Sequence, residues 1–122
     1  MMKITYNKGT AQGAKEIWRE DTVRVDSGGY NLDTTGLTEG SIVAKGTPLV
    51  VDLDKRTAKV AKDADEAKAN RLLYSDVKVE SGATITAVNA ADEVRSDLIP
   101  LSAAVVKALG SLGGRFLFTT AP

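Results

Sequence analysis

The sequence predicts a mainly β domain with one short C-terminal helix, an α+β arrangement built as a small sandwich or barrel-like sheet behind an N-terminal arm. Three observations predict it. From residue 41 to residue 88, short runs rich in Val, Ile, Thr and Leu alternate with Gly, Pro, Asp and Ser, the punctuation of brief strands. Behind Pro100 and Ser102 the period changes, and Ile99, Val105, Val106, Leu109 and Leu112 recur at helical spacing. The first third is dense in Gly, Thr, Asn, Asp and Gln, with isolated apolar residues that suit an arm better than a core.

Residues 1–36 are therefore assigned to the arm and residues 37–122 to the β-rich domain. Within the arm, Thr22-Val23-Arg24-Val25-Asp26 alternates like a half-buried strand. Ser27-Gly28-Gly29 supplies a turn that folds it back on Tyr30-Asn31-Leu32 as a short hairpin. Ser41-Ile42-Val43-Ala44 and Leu49-Val50-Val51-Asp52-Leu53 read as two strands around the turn Lys45-Gly46-Thr47-Pro48. Thr57-Ala58-Lys59-Val60-Ala61 follows the polar turn at 54–56 and completes a meander. The Ala-rich, charged stretch 62–71 is a short helix or exposed loop, with too few large apolar residues to fill a core.

Leu72 to Val79 and Ala83 to Val88 read as the strongest hairpin in the chain, around Glu80-Ser81-Gly82. Residues 89–96 read as a connection. A helix then runs from about Leu101 to Leu109, closed by Gly110, and Gly113-Gly114 releases the chain into a last strand, Arg115-Phe116-Leu117-Phe118. That strand joins the sheet, and the helix covers one end of it.

A chain of 122 residues, 43% of them hydrophobic, builds one modest core and no second domain. Sixteen basic and sixteen acidic residues cancel, so no net field draws the chain to nucleic acid or to an anionic membrane. No stretch approaches the roughly 20 apolar residues that span a bilayer, and Met1 to Gly13 lacks the apolar run of a secretory signal. Without cysteine there is no disulfide or thiol chemistry. Without histidine the commonest general base and transition-metal ligand are also missing. The composition points to a protein that binds, with no catalytic residues and no cofactor.

Three spacings invite a chemical reading, and the residues around each argue against it. Ser75-Asp76-Val77-Lys78 has the S-x-x-K spacing of penicillin-recognising enzymes, but it falls in a strand, where residues three apart point to opposite faces. Asp52, Asp54, Asp63, Asp65 and Glu66 have calcium-ligand spacings, yet Lys55 and Arg56 stand where oxygen ligands and a bending glycine belong. Solvated turn carboxylates and no metal site are expected. Gly9 to Lys15 has glycines and a lysine near phosphate-loop spacing, but the glycines are too close together and no strand precedes them.

What stands out is apolar matter in polar surroundings. Ile4, Tyr6, Ile17 and Trp18 are the candidate partner-binding residues, with Trp18 the only tryptophan in the chain. Trp18 either anchors a partner or caps the core of its own subunit, and the sequence leaves both open.

Gly40 to Leu49, read as a strand leading into Gly46-Thr47-Pro48-Leu49, resembles the strand and G-T-x-L turn of phage head decoration proteins of the lambda type. Leu72-Leu73-Tyr74-Ser75-Asp76-Val77 resembles their I-L-x-x-D-V strand. Ala83 to Val88 is similar to the hairpin strand that follows it, Leu98-Ile99-Pro100-Leu101 to their Leu-Pro helix start, and Arg115-Phe116 to their terminal strand. The resemblance runs from Leu37 to Phe118, while the longer N-terminal part with Trp18 looks closer to the related phage head fibre proteins. It implies a phage or prophage virion protein, made in the cytoplasm of a bacterial host. Such a protein would form a homotrimer and clamp the major capsid protein on the outside of the expanded head. The alternative is a carbohydrate- or protein-binding β-module of a surface or secreted protein. Sugar-binding modules cluster aromatics for stacking, whereas three Tyr, one Trp and two Phe are spread along this chain.

Overall fold

A computed structural model of the chain describes residues 16–99 and 101–119. The strands are β1 (Arg19–Val25), β2 (Tyr30–Leu32), β3 (Ile42–Val43), β4 (Pro48–Asp52), β5 (Thr57–Val60), β6 (Arg71–Leu73), β7 (Val77–Lys78), β8 (Thr84–Ile85), β9 (Ala87–Arg95) and β10 (Phe116–Thr119). One α-helix, α1 (Ala103–Gly110), and a 3-10 helix at Asp63–Lys68 accompany them. The protein is mainly β with one short C-terminal helix, as the sequence predicts.

The main sheet runs in the order β1-β9-β6-β4-β5-β2-β8, with β10 also on β9, and β3 and β7 form a separate two-stranded sheet. The main sheet curls into a half-barrel, so that the single stretch 84–95 supplies β8 at one end of the path and β9 near the other. Most pairings are antiparallel. β2 with β5 and β10 with β9 are parallel.

Both faces of the sheet are covered, which explains why β6 is buried at every position instead of alternating. Leu73 and Ala87 lie in one cluster with Tyr30, Leu49, Val51 and Ile85. Their neighbours Leu72 and Val88 point the opposite way, into a second cluster with Trp18, Val94, Val105, Leu109 and Phe116. Helix α1 closes this second core with Val105 and Leu109, each fully buried and worth about 1.5–3 kcal/mol of apolar transfer. Its N-cap is Ser102, whose Oγ accepts from the Val105 amide at 3.2 Å, and the helix ends at Gly110 as expected. The 3-10 helix occupies the stretch read as surface and buries none of its residues.

The pairing differs from the expected hairpins in three places. β1 and β2 do not pair with each other: β1 lies along β9, and β2 lies between β5 and β8. The reason is burial, because Tyr30 and Leu32 both belong to the core and can reach it only from inside the sheet. Both β1 and β2 thus run within the main sheet. β3 and β4 also do not pair, since β3 joins β7 while β4 joins β5 and β6. Their connecting turn passes the chain from the small sheet to the large one.

The strongest expected hairpin forms at its base, where Leu72 and Leu73 face Val88 and Ala87, but its outer part opens as Val77 and Lys78 leave for β3. The meander of β4 and β5 forms with four residue pairs. Residues 89–95, read as a connection, are the larger part of β9.

Candidate functional site

Of the expected partner-binding residues, Ile4 and Tyr6 lie outside the described residues, as does the glycine-containing segment 9–15. Ile17 and Trp18 are 7% and 2% exposed, within the core of their own chain. Their apolar surface is already covered, so of the two readings of Trp18 the structure places it as a core cap. The Ile17 carbonyl accepts from the Arg95 amide at 2.7 Å, which ties the segment just before β1 to the end of β9.

What Ile17 and Trp18 cover is the turn Lys45-Gly46-Thr47-Pro48. Gly46 has φ +90, a left-handed conformation that glycine adopts at no steric cost. Its amide donates to the Leu73 carbonyl at 2.8 Å, and the Leu73 amide donates to the Thr47 carbonyl at 2.9 Å, which locks the turn to β6. Thr47 Oγ1 donates to the Ala44 carbonyl at 2.6 Å. The Lys45 amide donates to Asp76 Oδ1 at 2.7 Å, so a carboxylate from the β6–β7 connection holds the turn from the other side. The segments 44–49 and 72–77 are therefore one joint.

Above this joint lies a polar surface cluster. Glu20 is its centre: Trp18 Nε1 donates to Oε1 at 3.2 Å, Tyr74 Oη donates to Oε2 at 3.1 Å, and Lys45 Nζ stands 3.9 Å from Oε1. Lys45 Nζ also sits 5.3 Å from the centroid of the Trp18 ring, within cation–π range. Donation to Glu20 and the nearby negative charge hold the Tyr74 hydroxyl above the ordinary phenol value.

A second polar cluster lies at the end of β1. Arg71, the one buried charged residue among those described, donates through Nε to Asp26 Oδ2 at 2.8 Å and through Nη1 to the Asn70 carbonyl at 2.8 Å. Tyr30 Oη donates to the same Asp26 oxygen, and Asn89 Nδ2 donates to the other at 2.6 Å. This cluster was not read from the sequence. The available signal was Arg71 itself, a charge opening the apolar run Leu72-Leu73, where an ion partner becomes obligatory.

The remaining chemical spacings resolve into turn structure. Asp52 Oδ1 accepts from the Asp54 and Lys55 amides at 3.0 and 3.1 Å, closing the β4–β5 turn. Asp65 pairs with Lys59 at 3.0 Å and with Lys68 at 4.0 Å. Among the described residues no group of three or more His, Cys, Asp or Glu is placed to hold a metal ion. Lys78 lies in β7 opposite Ile42, beyond the bend that contains Ser75. No helix among the described residues is long and apolar enough to cross a membrane. The polar groups of both clusters engage one another and the main chain, an arrangement that holds strands together. Neither protein-family models nor curated proteins give a match to this chain.

Proposed function

We propose that the chain is a virion structural protein of a phage or prophage, a head decoration or head fibre protein that binds the outside of the capsid as a homotrimer and carries out no catalysis. The observation that carries this reading is the joint between 44–49 and 72–77. The residues that resemble the decoration family hold specific structural posts here: Gly46 for its positive φ, and Asp76 as acceptor for the turn. The mainly β fold with its closing helix and terminal strand follows the order of parts that the resemblance implies.

An exterior clamp must also present open binding surface without polymerising. β1 ends the strand path, so among the described residues one of its edges has no partner strand in the main sheet, as strand addition by a partner requires. Arg19, Glu20, Asp21 and Arg24, with two register shifts, guard that edge against indiscriminate pairing.

Sedimentation and co-pelleting test the reading. The purified chain is expected to sediment as a trimer at micromolar concentration and to pellet with expanded capsids assembled from the major capsid protein of the same phage or prophage. A monomer that stays in the supernatant refutes the proposal. Saturable binding on a glycan array would support the alternative β-module instead.

A further inference from the structure

At the seam between β1 and β2 lies the charged network that the proposed role does not use. The side chains of Asp26 and Arg71 are each 10% exposed and share the bond from Arg71 Nε to Asp26 Oδ2. With Tyr30 and Asn89 also donating to it, one carboxylate ties the end of β1 to β2, β6 and β9. The Asp26 amide adds a bond to the Ala87 carbonyl at 2.9 Å. Arg56, from the β4–β5 turn, lies over the Tyr30 ring at 4.3 Å from its centroid and donates to the Ser27 and Gly29 carbonyls at 2.7 and 3.2 Å. The charged and titratable groups facing Asp26 are thus Arg71, Tyr30 and, behind its ring, Arg56.

Besides this network, the end of β1 is held by the pairs Arg24–Ala90 and Val25–Val88 and by Val23, which packs against the core. Each residue of this strand is exposed or half-buried, and its ladder with β9 has three residue pairs interrupted by two register shifts. Thr22 Oγ1 accepts from the Asp92 amide at 2.9 Å, and beyond it Arg24 and Val25 pair with Ala90 and Val88 before the chain reaches the Asp26 network. Edge segments with few buried contacts open at lower free energy than the core they lie on.

We infer that the Asp26 carboxylate is a latch: as an anion it holds the end of β1 on β9, and its neutralisation frees residues 23–29 while the rest of the sheet stays folded. Release bares the β9 backbone at 87–90, an edge open to strand addition. The reason is electrostatic, because neutral Asp26 leaves the Arg71 guanidinium buried without its counter-ion, and opening the seam lets water reach it.

The direction of the pH effect follows from the contacts. Burial pushes the Asp26 carboxyl upward, but hydrogen bonds from Tyr30, Asn89 and Arg71, with the charge of Arg71, outweigh it and hold it below the ordinary carboxylate value. A group depressed in the folded state stabilises fully above its unfolded value of about 3.9 and loses that contribution as pH falls through the folded value. The latch is closed at neutral pH and opens in strong acid, whereas Asp26→Asn opens it at neutral pH.

Residue-resolved amide hydrogen exchange on the full chain tests this, read as protection factors. In Asp26→Asn at neutral pH, residues 24–26 should lose protection about tenfold or more while Val51 and Lys59 change by less than about threefold. Unchanged protection at 24–26, or an equal loss at β4 and β5, overturns the latch. Should Asp26→Asn fail to fold, the wild-type chain taken from neutral pH into acid decides. Loss at 24–26 ahead of β4 and β5 supports the latch, and simultaneous loss overturns it. If the variant folds and its seam still opens with acid as in wild type, Asp26 is not the titrating group and the inference fails.

Discussion

Gly46→Ala is the sharpest probe of the joint between the Lys45–Pro48 turn and the residues that cover it. A Cβ added at Gly46 would stand 2.8 Å from Ile17 Cδ1 and 2.8 Å from Ile99 Cγ2, on a backbone at φ +90. The left-handed conformation costs an L-residue about 1–2 kcal/mol. Crowding two branched side chains from opposite ends of the sequence adds about 1–3 kcal/mol. The expected loss is about 2–5 kcal/mol, a large part of the 5–15 kcal/mol that typically holds a domain together. At a typical slope near 2 kcal/mol per M, the urea midpoint should fall by roughly 1–2.5 M.

Gly36→Ala separates the two causes, since Gly36 has φ +80 but open space where its Cβ would go. That variant should lose only the backbone term. Ile17→Val in the Gly46→Ala background removes Cδ1, one of the two close atoms, and should recover part of the crowding against its own cost of about 0.5–1.5 kcal/mol. Equal losses in Gly46→Ala and Gly36→Ala would refute the packing of Ile17 and Ile99 on the turn.

Trp18→Ala should destabilise the isolated subunit by about 3–5 kcal/mol, because the ring is 2% exposed. A thermal melt matching wild type would return Trp18 to the role of partner anchor. Asp76→Ala removes the acceptor of the Lys45 amide and should cost about 1 kcal/mol in urea denaturation, while Asp76→Asn, which keeps an acceptor oxygen, should cost less. Equal losses in the two would show that the hydrogen bond is not the cause.

Local signals carried the fold class and most strand positions, because strand formers, turn residues and the Ser102 cap act within a few residues of themselves. Pairing partners were less legible. The expected hairpins at 22–32 and 41–53 followed sequence proximity, whereas the chain follows burial: Tyr30 and Leu32 must reach a core assembled from β4, β5, β6 and β8. Trp18 was visible as unusual, but its burial goes with a contact far along the sequence, the Arg95 amide donating to the Ile17 carbonyl. The Asp26 network escaped for the same reason, since its members at 26, 30, 71 and 89 become neighbours only when β1, β2, β6 and β9 do.

The strand hardest to read, β9, organises the rest, pairing with β1, β6 and β10. Asn89-Ala90-Ala91-Asp92-Glu93 has low β propensity, and its burial breaks period two. Ala91 and Val94 share one core although three residues apart, which a regular strand forbids. A bulge reconciles them. Glu93 has φ 51, and the ladder with β10 steps from Phe116 opposite Ala91 to Phe118 opposite Val94, so that β9 spends one residue more than β10.

The consequence runs against propensity. Glu93→Val installs a better strand former, yet a β-branched side chain tolerates that φ less well than the unbranched one it replaces, so the variant should be less stable than wild type. Glu93→Gly should be close to neutral, the relief of strain offset by a more flexible unfolded chain and by loss of the exposed Arg19 pair. Urea denaturation of the two variants gives the comparison. If Glu93→Val is the more stable, β9 is a regular strand, and Ala91 and Val94 cannot both face the core beneath α1.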